Sequence, residues 1–187
     1  MEETELVKRM IAGDRDAFAE LMEQYQEKAL RAAYLISGNH ADSEDIVQET
    51  FVACFLNRKQ LKNPEAFRSW FYKTLSRNAW KTCKKRKWEQ PAEELYPADM
   101  PAPGNLLSEL VLKEEERVLY QAVLNLPVKQ RTVMILYYYN EMSIKEIAAA
   151  CGCLEGTVKS RLHSGKARLK HVLEEKKEGG SPWTILS

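Results

Sequence analysis

The chain is 187 residues long, with only eight glycines and three histidines, and none of these falls in a pattern that supports catalysis. It has no glycine-rich phosphate loop, no His-Glu-x-x-His and no nucleophile elbow. An enzyme would have nothing to build a mechanism on, so no catalytic residue and no cofactor is expected. The four cysteines, Cys54, Cys83, Cys151 and Cys153, fit no disulfide framework. Cys151-Gly152-Cys153 would need two further ligands to make a tetrahedral zinc site, and no second pair follows. No metal is expected, and the thiols read as small buried side chains. Apolar runs fall far short of the roughly 20 residues that a membrane helix requires. The first ten residues, MEETELVKRM, lack the basic-then-apolar pattern of a secretion signal. The protein is therefore expected in the cytoplasm, with no direct membrane insertion. A large charge of one sign is missing too: the formal net charge is +1.

What is present is an ordinary globular composition, 44% hydrophobic and 29% charged, with room for one large domain or two small ones. The distribution of charge is more informative than its sum. Residues 1–87 carry 16 Lys/Arg against 13 Asp/Glu, and residues 111–187 carry 12 against 9. Between them, WEQPAEELYPADMPAPGNLLSEL (88–110) has five acids, no Lys or Arg, and four of the seven prolines. Proline fixes φ and removes a backbone donor, so a long helix or strand is excluded there. This stretch reads as an acidic linker between a domain at 1–87 and a second at 111–178, with a tail at 179–187 to which no motif is assigned.

No alternating strand pattern occurs, and the fold class is all α: two small helical domains. Phe18, Leu21, Met22, Tyr25, Ala29 and Ala32 recur at three- and four-residue steps and line one helix face. Gly38-Asn39 ends that helix. Asp42, with Asp45 three residues on, is expected to cap the next, which buries Ile46, Val47, Thr50, Phe51, Cys54 and Phe55. Asn63-Pro64 opens another helix, expected over 64–87. In the second block, helices are expected over 110–124, 129–138, 144–150 and 155–175. Ser143-Ile-Lys-Glu146 is a capping box and Gly152 a tight turn, so the last two helices form a helix-turn-helix. Spacing turns Ile144, Ile147, Ala148, Val158, Leu162, Gly165 and Leu169 inward. Thr157, Lys159, Ser160, His163 and Lys166 are left outward, and such a face of hydroxyls and cations suits the major groove.

The run LPVKQRTVMILYYYNEMSIKEIAAACGCLEGTVKSRLHSGKARLK resembles domain 4 of extracytoplasmic-function (ECF) RNA polymerase sigma factors of the sigma-70 family. Its Leu-Pro opening, Arg131, the Tyr-Tyr pair, Ser-x-x-Glu-Ile-Ala and Gly-Thr-Val-Lys-Ser-Arg-Leu carry the likeness. The resemblance implies that the second helix reads the −35 promoter element through Lys159 and Ser160 with His163 beside them, supported by Thr157, Arg161 and Lys166. It also implies docking on the flap of the polymerase β subunit. Ser164-Gly165-Lys166 stands where Arg-Ala-Arg is usual, which removes charge.

In the first block, Asp45, Gln48, Glu49 and Val52 fall at i, i+3, i+4 and i+7, a single stripe opposite the apolar face. An acidic and amide stripe repels DNA and suits a basic protein surface. ADSEDIVQETFVACF resembles the polymerase-binding helix of sigma domain 2, which implies that Asp42, Glu44, Asp45, Gln48, Glu49 and Val52 grip the clamp of the β′ subunit. The segment FRSWFYKTLSRNAWKTCKKRKW interleaves aromatics with cations, a mixture that neutralises phosphates and stacks on unpaired bases. It resembles the −10 recognition helix of the family, with Phe67-Arg68-Ser69-Trp70-Phe71-Tyr72 matching its motif. By position the resemblance implies contact of Lys62, Asn63, Tyr72, Lys73, Arg77, Trp80, Lys81 and Lys84 with melted −10 DNA. Asn78 stands one step later than the family's usual asparagine, and Arg77 takes that place. The family also implies an anti-sigma factor as a further partner. It further implies that the linker acids Glu89, Glu93, Glu94 and Asp99 run toward the polymerase active centre.

Overall fold

The computed structural model describes residues 2–89 and 114–178, and all regular structure within them is helical. Eight α-helices follow in order: α1 (Glu3–Ala12), α2 (Arg15–Ser37), α3 (His40–Leu56), α4 (Phe67–Glu89), α5 (Glu114–Leu124), α6 (Val128–Tyr138), α7 (Ile144–Cys151) and α8 (Glu155–Glu178). The linker from residue 90, the expected helical residues 110–113 and the tail at 179–187 lie outside the described residues.

Helix boundaries follow local chemistry. Gly13 closes α1 at φ 103°, and Asp14 caps α2 by accepting from the N–H groups of Asp16 and Ala17. Arg9 pairs with the same carboxylate at 2.6 Å, stapling the corner. These hydrogen bonds, that from Ala17 foremost and then that from Arg9, hold the Asp14 carboxyl below its usual range. The separate α1 was not legible in the periodicity, which continues across the corner. Asp42 is not the cap of α3. Asn39 takes that place, its side chain accepting from the Asp42 N–H at 2.9 Å, and the helix begins at His40. With its own N–H already satisfied by Asn39, Asp42 sits in the first turn and spends its carboxylate on Arg86 of α4, at 2.9 Å. Asn63 and Pro64 open a single 3-10 turn, Pro64–Ala66, and α4 proper starts at Phe67 and runs to Glu89, two residues past the expected boundary.

In the first half, α2, α3 and α4 pack around Leu21, Tyr25, Ile36, Ile46, Phe51, Phe67 and Phe71. The Tyr25 ring lies edge-on to Phe67 and Phe71, with centroids 5.2 and 5.0 Å away. Ala29, Ala32 and Ala33 are fully buried on α2, small enough to let its neighbours approach. In the second half, Leu136, Met142, Ile147, Val158 and Leu162 fill the space between α6, α7 and α8. Each fully buried side chain of this kind contributes about 1.5–3 kcal/mol.

The two halves also pack on one another. Helix α4 crosses α7 and touches α6, α2 touches α5 and α6, and the buried residues form one continuous cluster. Tyr34 and Tyr120 stack across the seam, nearly parallel with centroids 5.9 Å apart. A Cβ on Gly38 would stand 3.2 Å from Leu124 of the other half.

Candidate nucleic-acid and polymerase-binding surfaces

The helix-turn-helix is built as its residue chemistry dictates. The Ser143 hydroxyl accepts from the Glu146 N–H, and the Glu146 carboxylate accepts from the Ser143 N–H at 2.8 Å. Gly152 turns the chain at φ 61°. Helix α8 then crosses α6 so closely that a Cβ on Gly165 would meet the Met134 sulfur at 2.9 Å. The crossing leaves no room for a side chain at Gly165, in the middle of a long helix, unless Met134 shifts. Lys159, Ser160 and His163 project into solvent from the first turns of α8, while Val158 and Leu162 are buried beneath them. Thr157 is half-buried at the helix start. Half-buried Arg161 lies along the turn, its guanidinium 3.9 Å from the Cys153 sulfur. Lys166 is exposed but drawn back over the Tyr138 ring, 5.4 Å from its centroid. Its pKa is raised by the hydrogen bond to the Tyr138 hydroxyl. The sequence reading passed over Leu154, which precedes α8 and is 80% exposed.

Cys151 is buried and its thiol is pushed up to about 12 by that burial, so it behaves as an apolar filler beneath the turn. Arg131 is an internal brace. Only 6% exposed, it donates to the Leu124 carbonyl at 2.6 Å and closes the α5–α6 corner.

On α3 the stripe stands as its spacing predicts. Asp45, Gln48 and Glu49 are exposed, and Val52 is 53% exposed. No ion pair among the described residues reaches Asp45 or Glu49. Glu44 is exposed beside His40, at 3.5 Å, whereas Asp42 is engaged with Arg86 and has no part in the open stripe. The stripe continues to Leu56, one turn beyond Val52 and 70% exposed. Spacing alone could have found Leu56. With Asn57 and Asn78, these residues line an open depression of about 660 Å³. Asn78 donates to Thr50 on α3 at 3.1 Å. The one-step displacement of this asparagine thus sends it toward α3 and away from the neighbouring cations.

Helix α4 presents three sectors, set by about 100° of rotation per residue. Phe67, Phe71 and Leu75 enter the core of the first half. Lys73, Arg77, Lys81 and Lys84 form a basic stripe, half-buried at Lys73 and exposed at the other three. The third sector carries Arg68, Tyr72, Ser76, Ala79 and Trp80 beneath α6 and α7. Tyr72 is 2% exposed, its hydroxyl accepting from Asn140 Nδ2 at 2.7 Å. Half-buried Trp80 donates its indole N–H to the Thr132 hydroxyl at 2.9 Å. In this arrangement Tyr72 is buried and Trp80 half-buried, each bonded to a side chain of the second half, where the sequence places them toward −10 DNA. Lys62 and Asn63 are exposed ahead of α4, with the Asn63 side chain capping Glu65.

Comparison with known proteins matches this architecture. Residues 21–89 match the model for Sigma-70 region 2, and residues 116–169 match the model for Sigma-70, region 4. These two matches define a sigma-70-type transcription initiation factor. The chain is 30% identical over 178 residues to the ECF RNA polymerase sigma factor SigW of Bacillus subtilis, covering 90% of this chain and 95% of that one. It is 27% identical over 183 residues to the ECF RNA polymerase sigma-E factor of Haemophilus influenzae, covering 90% and 94%. Among solved structures, CnrH in complex with the cytosolic domain of CnrY superposes with a TM-score of 0.69 at 20% identity, covering 93% and 98%. The sigma factor RpoE, in complex with the anti-sigma factor NepR from Bartonella quintana, gives 0.66 at 23%, covering 84% and 96%. The chain belongs to the extracytoplasmic-function sigma factors of the sigma-70 family.

Proposed function

We propose that residues 1–87 and 111–178 act as two promoter-reading domains that bring core RNA polymerase to its start sites. The α3 stripe of Asp45, Gln48, Glu49, Val52 and Leu56 docks on the β′ clamp. The basic stripe of α4 tracks −10 DNA, with Lys62 and Asn63 at its edge. In the second domain, Lys159, Ser160 and His163 of α8 read the −35 element, and the same domain meets the β flap. The acidic linker sets the separation between the two contacts. The protein supplies no catalysis, which belongs to the polymerase, and it works in the cytoplasm where polymerase and promoter are. An anti-sigma factor holds it inactive, as NepR partners RpoE in the solved complex.

The observation carrying this reading is the pairing, on one chain, of an open acidic-amide stripe with a helix-turn-helix that points cations at solvent. The stripe is unsuited to DNA and the helix-turn-helix suited to it, so the chain bridges a protein to a promoter. Reversal of charge by Asp45→Lys with Glu49→Lys is expected to abolish co-purification with core polymerase while leaving helix content unchanged. Run-off transcription with purified core is expected to start at defined promoters with the wild type and to be lost with the variant. Retained co-purification of the folded variant would count against the α3 assignment.

A further inference from the structure

We infer that the tail at 179–187 folds back along α8 and covers an apolar groove on the second half, with Trp183 and Ile185 as its anchors. An apolar segment of another protein then reaches that groove only by displacing the chain's own tail.

The groove, a cavity of about 850 Å³, lies between α5, α6 and α8, and Leu119, Val123, Tyr138, Leu169 and Leu173 are among its walls. Leu119 is 42% and Tyr138 51% exposed, so two large apolar side chains stand open in one groove. Contiguous apolar exposure marks a surface that takes a partner. The charged residues that line it are already engaged. Lys170 pairs with Glu174 at 3.6 Å, and Lys166 lies over the Tyr138 ring. The occupant that this lining suits is apolar and carries no charge.

The tail has that composition. GGSPWTILS contains no Asp, Glu, Lys or Arg, so no charged side chain loses its water when it docks. Gly179 and Gly180 suit a reversal at a helix end, where left-handed backbone is needed. Pro182 cannot extend the helix, and it biases Ser181 toward extended backbone. In an extended segment alternate side chains share a face, which puts Trp183 and Ile185 together. The reach fits as well. Helix α8 ends at Glu178, and Leu169 lies about 14 Å back along its axis. Trp183, five residues beyond Glu178, spans about 17 Å when extended, and Ile185 about 23 Å. Both therefore reach the stretch of groove between Leu173 and Leu169. A tether this short also holds the tail at an effective concentration of about 1 mM, which no second copy in dilute solution equals.

The test uses the full-length chain, with a fluorescein-labelled GGSPWTILS peptide as the probe. Trp183→Ala with Ile185→Ala frees the groove. Leu119→Glu or Leu173→Glu, each added to that pair, spoils one of its walls. Circular dichroism verifies helix content throughout. The peptide is expected to bind the tail variant about tenfold more tightly than wild type, as when the tail covers the groove in about nine chains of ten. Either wall substitution is expected to abolish that binding. Sedimentation velocity is expected to show the wild type as a monomer. Equal affinity for wild type and tail variant would overturn the self-coverage. No binding to the tail variant, or binding that survives both wall substitutions in folded protein, would overturn the groove as its seat. A wild-type dimer that the tail variant loses would put the tail on a second copy, and so overturn the inference too.

Discussion

The carboxylate of Glu146 ties the helix-turn-helix to α4, since it closes the capping box with Ser143 and also faces Arg68. Partial burial pushes its pKa up, but the hydrogen bonds from Ser143 and the charge of Arg68 outweigh that and hold it below the usual value. A depressed folded-state pKa contributes stability above the unfolded value of about 4.3, and that contribution is lost as pH falls through the folded value. Glu146→Gln keeps a cap acceptor and removes the charge. It is expected to cost a few tenths to about 1 kcal/mol at neutral pH, the side chain being 36% exposed and screened. Thermal melts of both proteins from pH 7 to pH 3 are expected to converge at the acid end. Lys159 and Ser160 have no such structural partner. Their joint replacement by alanine is expected to leave stability unchanged and to relax −35 choice by about 1–3 kcal/mol per lost base contact. Start-site profiling on a promoter library with varied −35 elements reads that loss directly.

Helix α4 shows how one element serves three neighbours. Its rotation of about 100° per residue separates core aromatics, seam residues and cations into sectors, so the cations can be altered without touching the packing. Replacing Arg77, Lys81 and Lys84 together with glutamine is expected to weaken binding of single-stranded DNA by the complex with core. The slope of log affinity against log salt should fall by about 0.7 for each cation that neutralises a phosphate. An unchanged slope, with affinity measured at four or more salt concentrations, would place these cations off the DNA path. Helix α8 illustrates a different constraint. Its close crossing of α6 at Gly165 leaves no room for a large side chain, so substitution there acts through Met134 and the tilt of the reading helix.

Across the whole molecule, the continuous buried cluster joins the halves through a seam with unsatisfied polar atoms. Coupling of this kind predicts one cooperative thermal transition for the wild-type chain. Once Arg68→Ala and Thr132→Val uncouple the halves, two transitions are expected, the lower one belonging to the half with fewer buried contacts. Calorimetry checks this: a single transition in the variant would mean that the aromatic and leucine packing elsewhere along the seam suffices to couple them.

The all-helical class, the capping box at Ser143, the turn at Gly152 and the outward set Lys159, Ser160 and His163 were legible in the residues. Helical periodicity, caps and turn glycines act over three or four positions, and those distances are written in the chain. The start of α3 was misjudged for a related reason: Asn39 and Asp42 are both capping residues three apart, and local chemistry alone does not choose between them. Packing made that choice, because Arg86 on α4 takes the Asp42 carboxylate. Burial of Tyr72 and Trp80 was beyond local reading altogether. Their partners, Asn140 and Thr132, lie 68 and 52 positions away. No spacing rule spans such a distance. Which face of α4 meets solvent depends on where the second half comes to rest, and that is a property of the folded chain.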